Sequence, residues 1–261
     1  MTIFGFELKR NRISLIIWCA VIASMIAISI LLFPLMEKTM TEMTELLANM
    51  GGLSAAYGMD QLSIGDYLNY YAMECSEILG LGGGLFAALT AIAALSKEER
   101  EHTAEFLLTH PVSRTRVVTE KLLAVLLQVV LLNAAVAAVT VICTIIIGQH
   151  PDAAKLALVL LAYFLLHIEI ACVSFCISAF TKGRGVGIGI GLVLLAYFLN
   201  IIANITDKAK ALRWITPFAY TDSTYIIKNT AVDMRYLAIG VAVSVICVIA
   251  AYLKYNKKDI T

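Results

Sequence analysis

Four ionisable side chains stand inside long apolar runs of this sequence: Glu74, Glu77, His167 and Glu169. On insertion scales a charged side chain near the centre of a bilayer costs roughly 2.5–3.5 kcal/mol, so such a group usually faces a cavity, a partner or a transported solute. Glu74 and Glu77 are three residues apart and share a helix face. Near the outer end of their span, they suit a wet vestibule; a proton or cation site is the alternative. His167 and Glu169 are two residues apart, about 200° around a helix, so they cannot jointly hold one metal ion without breaking it. Each suits a paired interior group or a role in transport or coupling. Acids and a histidine are also raw material for an intramembrane protease, and buried acids alone for an ion-coupled secondary carrier. A membrane-protease pattern Glu-Glu-x-x-x-Arg starting at Glu98-Glu99 would need arginine where Thr103 stands.

The elements that must position these groups are membrane spans. The 261 residues are 60% hydrophobic and their mean hydropathy is +0.85, which excludes an ordinary soluble domain. Cut at about 20 apolar residues each, the chain yields an all-α, polytopic architecture in one transmembrane domain over residues 1–261. Its six spans are expected at about 13–33, 68–95, 122–147, 156–180, 186–205 and 236–253. Thr2–Arg12 mixes Ile3, Phe4, Phe6 and Leu8 with Glu7, Lys9 and Arg10, which suits a short helix lying at the interface. The run behind it is longer than the core of a signal peptide, so a retained first span is expected. Pro34 is expected to close that span. Met36, Met40, Met43, Leu47 and Met50 then recur at helical spacing in an outer segment that Gly51-Gly52 ends.

A net charge of +1 gives no case for nucleic-acid binding. The six cysteines all lie in apolar runs, which points to neither a disulfide framework nor a zinc site. Gln128 and Asn133 are candidates for hydrogen bonds between helices. Gly183, Gly187 and Gly191 share one helix face, with Gly185 and Gly189 nearly opposite, a spacing that favours close helix packing within the subunit or across a dimer. No G-x-x-x-x-G-K-[ST] occurs, so the polypeptide carries no P-loop of its own.

The longest densely charged run, Lys97–Lys121, joins the second and third spans. Ser96 and Glu99 fit a capping box opening a short helix over about 97–110, with Ala104, Leu107 and Leu108 on one face. His110-Pro111 stops it and Ser113 can cap the next helix. The run resembles the loop between the second and third spans of ABC-2 type transporter permeases: Glu98-Glu99, Thr103, Glu105, Leu107-Leu108 and Pro111-Val112-Ser113-Arg114 follow that pattern, with His102 in place of the usual glycine. Thr216-Pro217-Phe218 resembles the Ser-Pro-Phe element before the last span of these permeases. The tail Tyr255, Lys257-Lys258-Asp259-Ile260 is similar to their aromatic, basic, basic, Asp, apolar ending. Trp214, Phe218, Tyr220 and Tyr225 suit the membrane interface.

The resemblance implies the membrane subunit of an ATP-driven exporter. The helix at 97–110 would couple to an ATP-binding subunit through Glu98, Glu99, Arg100, Glu105, Leu107, Leu108 and Arg114. It further implies two such subunits, which would carry ATP and Mg, and a second permease, identical or related. The substrate expected is an amphipathic peptide, drug or lipid-like molecule. With both termini inside the cell membrane, thirteen Lys and Arg fall on inner segments and seven on outer ones, in line with the positive-inside rule, although Thr206–Arg235 opposes it with five.

Overall fold

The computed structural model describes residues 3–48, 66–96, 113–181 and 185–257. Every element among them is helical. We label them α1 (Ile3–Ala48), α2 (Tyr67–Ile92), α3 (Arg114–Ile146), α4 (Ala153–Phe180), α5 (Val186–Ile205), α6 (Ser223–Asn229) and α7 (Met234–Lys257). Two tight helical turns, Asp207–Trp214 and Pro217–Thr221, sit between α5 and α6. All except α6 are long and apolar enough to cross a membrane, six in number among the described residues.

Helix ends follow the polar residues at the junctions. Ser113 Oγ accepts from the Arg116 amide at 3.3 Å and opens α3, while Asp152 Oδ1 accepts from Ala154 at 2.9 Å to open α4. Asp66 does the same for α2 through the Leu68 amide at 2.8 Å. Gly148, at φ +70°, ends α3 in the left-handed conformation that glycine adopts without steric cost, and the next amide, Gln149, reaches back to Thr144 O.

The first helix departs from the expected segmentation. Pro34 does not close it: α1 runs unbroken from Ile3 to Ala48, and the amphipathic start at 3–12 is continuous with the span. Proline removes one backbone donor, a loss that spanning helices tolerate. At 1.5 Å per residue the 46-residue helix is about 69 Å long, against about 30 Å of hydrocarbon. It therefore tilts or projects beyond the bilayer. At the 97–110 segment, expected to be a coupling helix, residues 97–112 lie outside the described residues.

Two helices form the centre. In their most apolar stretches, α2 is 61% buried and α4 is 56% buried, whereas α7 is 11% and α1 17%. α2 packs on α4 and α5, α4 also packs on α7, and α1 lies along α3. The aromatic cluster Phe33, Tyr67, Tyr70 and Tyr71 seals one end of α2, with ring centroids 5.0–6.4 Å apart. Their hydroxyls reach neighbouring helices: Tyr67 to Thr144 Oγ1 at 2.5 Å, Tyr71 to Thr140 Oγ1 at 3.2 Å, and Tyr70 to the Ser29 carbonyl at 3.0 Å. Residues Tyr71–Cys75 form one wide π turn, a geometry often found beside functional groups.

The glycines of α5 divide by face. Gly185 and Gly189 lie against Ile92 and Ala88 of α2, and a Cβ at Gly185 would stand 2.6 Å from Ile92 Cγ1. Gly187 and Gly191 are exposed with open space in front of them, and Gly183 lies outside the described residues. Packing inside the chain thus uses Gly185 and Gly189. Gly185→Val is expected to destabilise the detergent-solubilised protein by about 1–3 kcal/mol through overpacking, seen as a lower melting temperature. Gly191→Val should leave the melting of the monomer unchanged.

Candidate functional site

The interior polar groups fall into four places. The first is a histidine staple. His167 on α4 is fully buried, with Nδ1 3.1 Å from Asn133 Oδ1 on α3 and Nε2 3.1 Å from the Leu79 carbonyl on α2. Gly83 leaves the space its ring occupies, for any Cβ there would collide with the imidazole. One side chain thereby joins three helices. Gln128, the other interhelical candidate, bonds the Ala124 carbonyl of its own helix at 2.9 Å.

The second place is an apolar cavity of about 620 Å³ between α1, α2 and α5, and it brings Glu74 and Glu77 together. Glu74 is exposed and Glu77 half-buried; Glu77 Oε2 accepts from the Tyr197 hydroxyl at 2.5 Å. Trp18, Met25, Met73 and Leu81 supply greasy walls. Two acids at the margin of an apolar chamber fit a solute with an apolar body and a polar or cationic group.

The third is a cavity of about 460 Å³ between α4, α5, α7 and the 213–220 segment. Glu169 reaches it from α4. Its Oε2 accepts from the Tyr220 hydroxyl at 2.8 Å, and Gly240 of α7 makes room for the carboxylate. His167 and Glu169 thus serve different faces of α4, and neither lines the chamber of Glu74 and Glu77. No glutamate–histidine pair forms among these four residues. The segment roofing the cavity is held by Thr216, whose hydroxyl donates to the Ala196 carbonyl at 2.7 Å and accepts from the Phe218 amide. This explains why a hydroxyl residue suits the position before Pro217. Phe218 and Tyr220, expected at the interface, are buried instead, because the turn after Pro217 aims both into the bundle; Trp214 and Tyr225 are exposed.

The fourth place lies where the charged run enters and leaves the bundle, and run lengths and motifs do not disclose it. Lys121 on α3 is 1% exposed. Its Nζ donates to the Ala94 carbonyl, just beyond α2, at 2.5 Å, and stands 3.3 Å from Glu7 Oε1 on α1. Glu7, also buried, takes Arg10 on its other oxygen at 2.6 Å. Beside this pair Glu120 accepts from the Phe4 amide at 2.9 Å, placing an anion at the start of α1 where free amides favour it, and binds Arg116 at 2.7 Å. Arg114 and Thr115 reach Asn256 near the end of α7, and Thr119 meets the Tyr252 hydroxyl at 2.8 Å. Both roots of segment 97–112 are therefore tied to the first helix, and the second root to the last helix as well. Glu98, Glu99, Arg100, Glu105, Leu107 and Leu108 lie outside the described residues. A sequence signal for the clamp does exist: Lys121 interrupts the apolar stripe Val117, Val125, Val129, Leu132, Val136 at helical spacing, so a lysine stands where a core residue belongs.

A bundle of six spanning helices defines a multi-pass α-helical membrane protein. A family model described as ABC-2 family transporter protein matches residues 1–260, and the chain belongs to that family. It is a permease-type membrane subunit of an ABC transporter, a family whose members work with an ATP-binding partner. Among curated proteins none matches the sequence.

The clamp gives a quantitative expectation. Removing one member of a buried ion pair leaves the other charge without compensation, at about 3–5 kcal/mol. Lys121→Met and Glu7→Gln should each lower stability by that order. The double variant should recover part of the loss, giving a favourable coupling energy in a double-mutant cycle read by thermal unfolding in detergent. Additive losses would show that the two groups act independently.

Proposed function

We propose that the chain is the permease subunit of an ATP-driven exporter in the cell membrane, with both termini cytoplasmic. Segment 97–110 docks on a separate ATP-binding subunit through Glu98, Glu99, Arg100, Glu105, Leu107 and Leu108, and Arg114 supports its outgoing root. Two permeases, identical or related, enclose the pathway, and two ATP-binding subunits below them carry ATP and Mg. The substrate is an amphipathic peptide, drug or lipid-like molecule.

The observation that carries this reading is the anchoring of both ends of segment 97–112 in a chain of this family. A push on a free loop is lost in the loop. A push on a segment whose roots are pinned to α1, α2, α3 and α7 reaches the spans. Nucleotide can shift the balance of inward- and outward-facing packings only by binding them differently, and such a lever supplies the path for that difference. Orientation has support from the same contacts: the start of α1, both roots of the segment and the end of α7 share one end of the bundle. Lys9, Arg10, Arg12, Arg114, Arg116, Lys254 and Lys257 gather there with them, as expected for a cytoplasmic face. The exposed glycines Gly187 and Gly191, on the open face of α5, offer a close-packing surface to a second permease.

Gentle purification from the native host tests the partnership: a nucleotide-binding protein should accompany the permease. In a reconstituted pair, Glu105→Lys or Leu107→Asp should weaken that association by about 2 kcal/mol, roughly thirtyfold, and uncouple ATP hydrolysis from export while the spans stay inserted. Unchanged export and unchanged association in both variants would overturn the docking assignment. Transport by the permease alone under an ion gradient would overturn the ATP-driven reading.

A further inference from the structure

We infer that the cavity between α4, α5 and α7 is a binding site for a lipophilic cation, an amine with an apolar tail, whose charged group sits on Glu169. The inference deepens the exporter reading by naming a substrate class and rests on that reading for its place in transport, though the binding itself needs no ATPase.

Three observations converge. First, Glu169 is 7% exposed and lies mid-way along a spanning helix, yet no Lys, Arg or His stands within ion-pair distance of it among the described residues. Glu7, the other deeply buried carboxylate among the described residues, has two cations. Secondly, among the described residues only one oxygen of Glu169 takes a hydrogen bond: Oε2 accepts from the Tyr220 hydroxyl, and the carboxyl group lines the cavity. A buried carboxylate needs more than one neutral donor to offset its desolvation, and a cation supplies what is missing. Thirdly, the rest of the chamber is built for hydrocarbon. Leu195, Ala196, Ile239 and Val243 line it, Trp214 and Ile215 stand at its rim, and about 460 Å³ holds a chain of moderate length.

The one guanidinium at the margin does not cancel the acid. Arg213 is already engaged, with Asp222 Oδ2 at 2.9 Å and Asn204 Oδ1 at 2.7 Å. The chamber therefore offers one carboxyl group at the end of an apolar slot, which selects against anions and holds an ammonium, by charge as well as by hydrogen bond, more strongly than a neutral hydroxyl. Leu195 and Ile215 are strongly exposed at the outer surface of the bundle, so the slot is reached from the lipid side, where amphipathic amines concentrate.

Fluorescence quenching tests this directly. The sequence holds two tryptophans, Trp18 and Trp214, so a Trp18→Phe background of the full-length permease in lipid nanodiscs leaves Trp214 as the reporter. Brominated dodecylamine should quench it saturably, and brominated dodecanol should not saturate. Glu169→Gln should weaken the amine by about tenfold or more without changing the response to the alcohol. Val243→Trp in a Trp214→Phe background, followed by binding of radiolabelled dodecylamine, fills the slot with Glu169 intact and should remove one saturable site per chain; it decides the question if Glu169→Gln does not fold. Equal quenching by amine and alcohol, or an amine affinity that neither Glu169→Gln nor Val243→Trp alters, would overturn the assignment. Failure to recruit an ATP-binding protein would instead sink the exporter reading and leave these binding results standing.

Discussion

A single buried ammonium organises one end of this molecule. Lys121 is fully enclosed, and three elements depend on where it points: the start of α1 through Glu7, the turn after α2 through the Ala94 carbonyl, and α3 on which it stands. Burying a charge is unfavourable unless the attraction of an opposite charge and well-placed hydrogen bonds make up the loss. The price is met here by ordering the backbone on both sides of the charged run. Replacing the group with a packed hydrocarbon would spare that desolvation but would surrender the fixed register between the first helix and the loop roots. Such a device suits a place where geometry must be transmitted rather than merely maintained.

The same logic recurs deeper in the bundle with neutral groups. His167 joins α2, α3 and α4 by two polar contacts and a glycine-sized socket, so the central helices are held in a specific rotation about one another. Around that core the peripheral helices α1, α5 and α7 keep most of their apolar surface outward. Lipid covers such faces without any folding penalty, and a second subunit can cover them too. The central helices are thus pinned and the outer ones are held mainly by shape, a division that permits a change in packing at the periphery while the core keeps its register.

The two chambers divide the acids. Glu74 and Glu77 share one with aromatic and methionine walls, while Glu169 stands alone in the other. Tyrosine hydroxyls, from Tyr197 and Tyr220, satisfy one oxygen in each place. That repetition distinguishes these acids from the clamp, where cations satisfy Glu7. Inside an apolar wall a tyrosine holds an acid in position without supplying a counter-charge.

Much of this was legible from residue order. Apolar run lengths predicted six spans, the number of long apolar helices found among the described residues, because a bilayer demands about twenty apolar residues per crossing whatever their neighbours are. Ser113 announced the start of α3 by its cap, and the local motifs pointed to the family that the full-length match establishes. The angular separation of His167 and Glu169 followed from helical geometry alone. Residue order failed where the outcome depended on partners distant in sequence. Pro34 looked like a terminator, but α1 continues through it. Phe218 and Tyr220 had interfacial composition, yet the turn fixed by Thr216 aims them inward. The choice between the two glycine faces of α5 came from where Ile92 lies, and the burial of Lys121 from Glu7, more than a hundred residues earlier in the chain. Hydrophobic period and run length are local quantities, and they determine that this chain crosses the membrane and roughly where. Which polar groups meet is a property of helix rotation and contact, and only the packed bundle decides it.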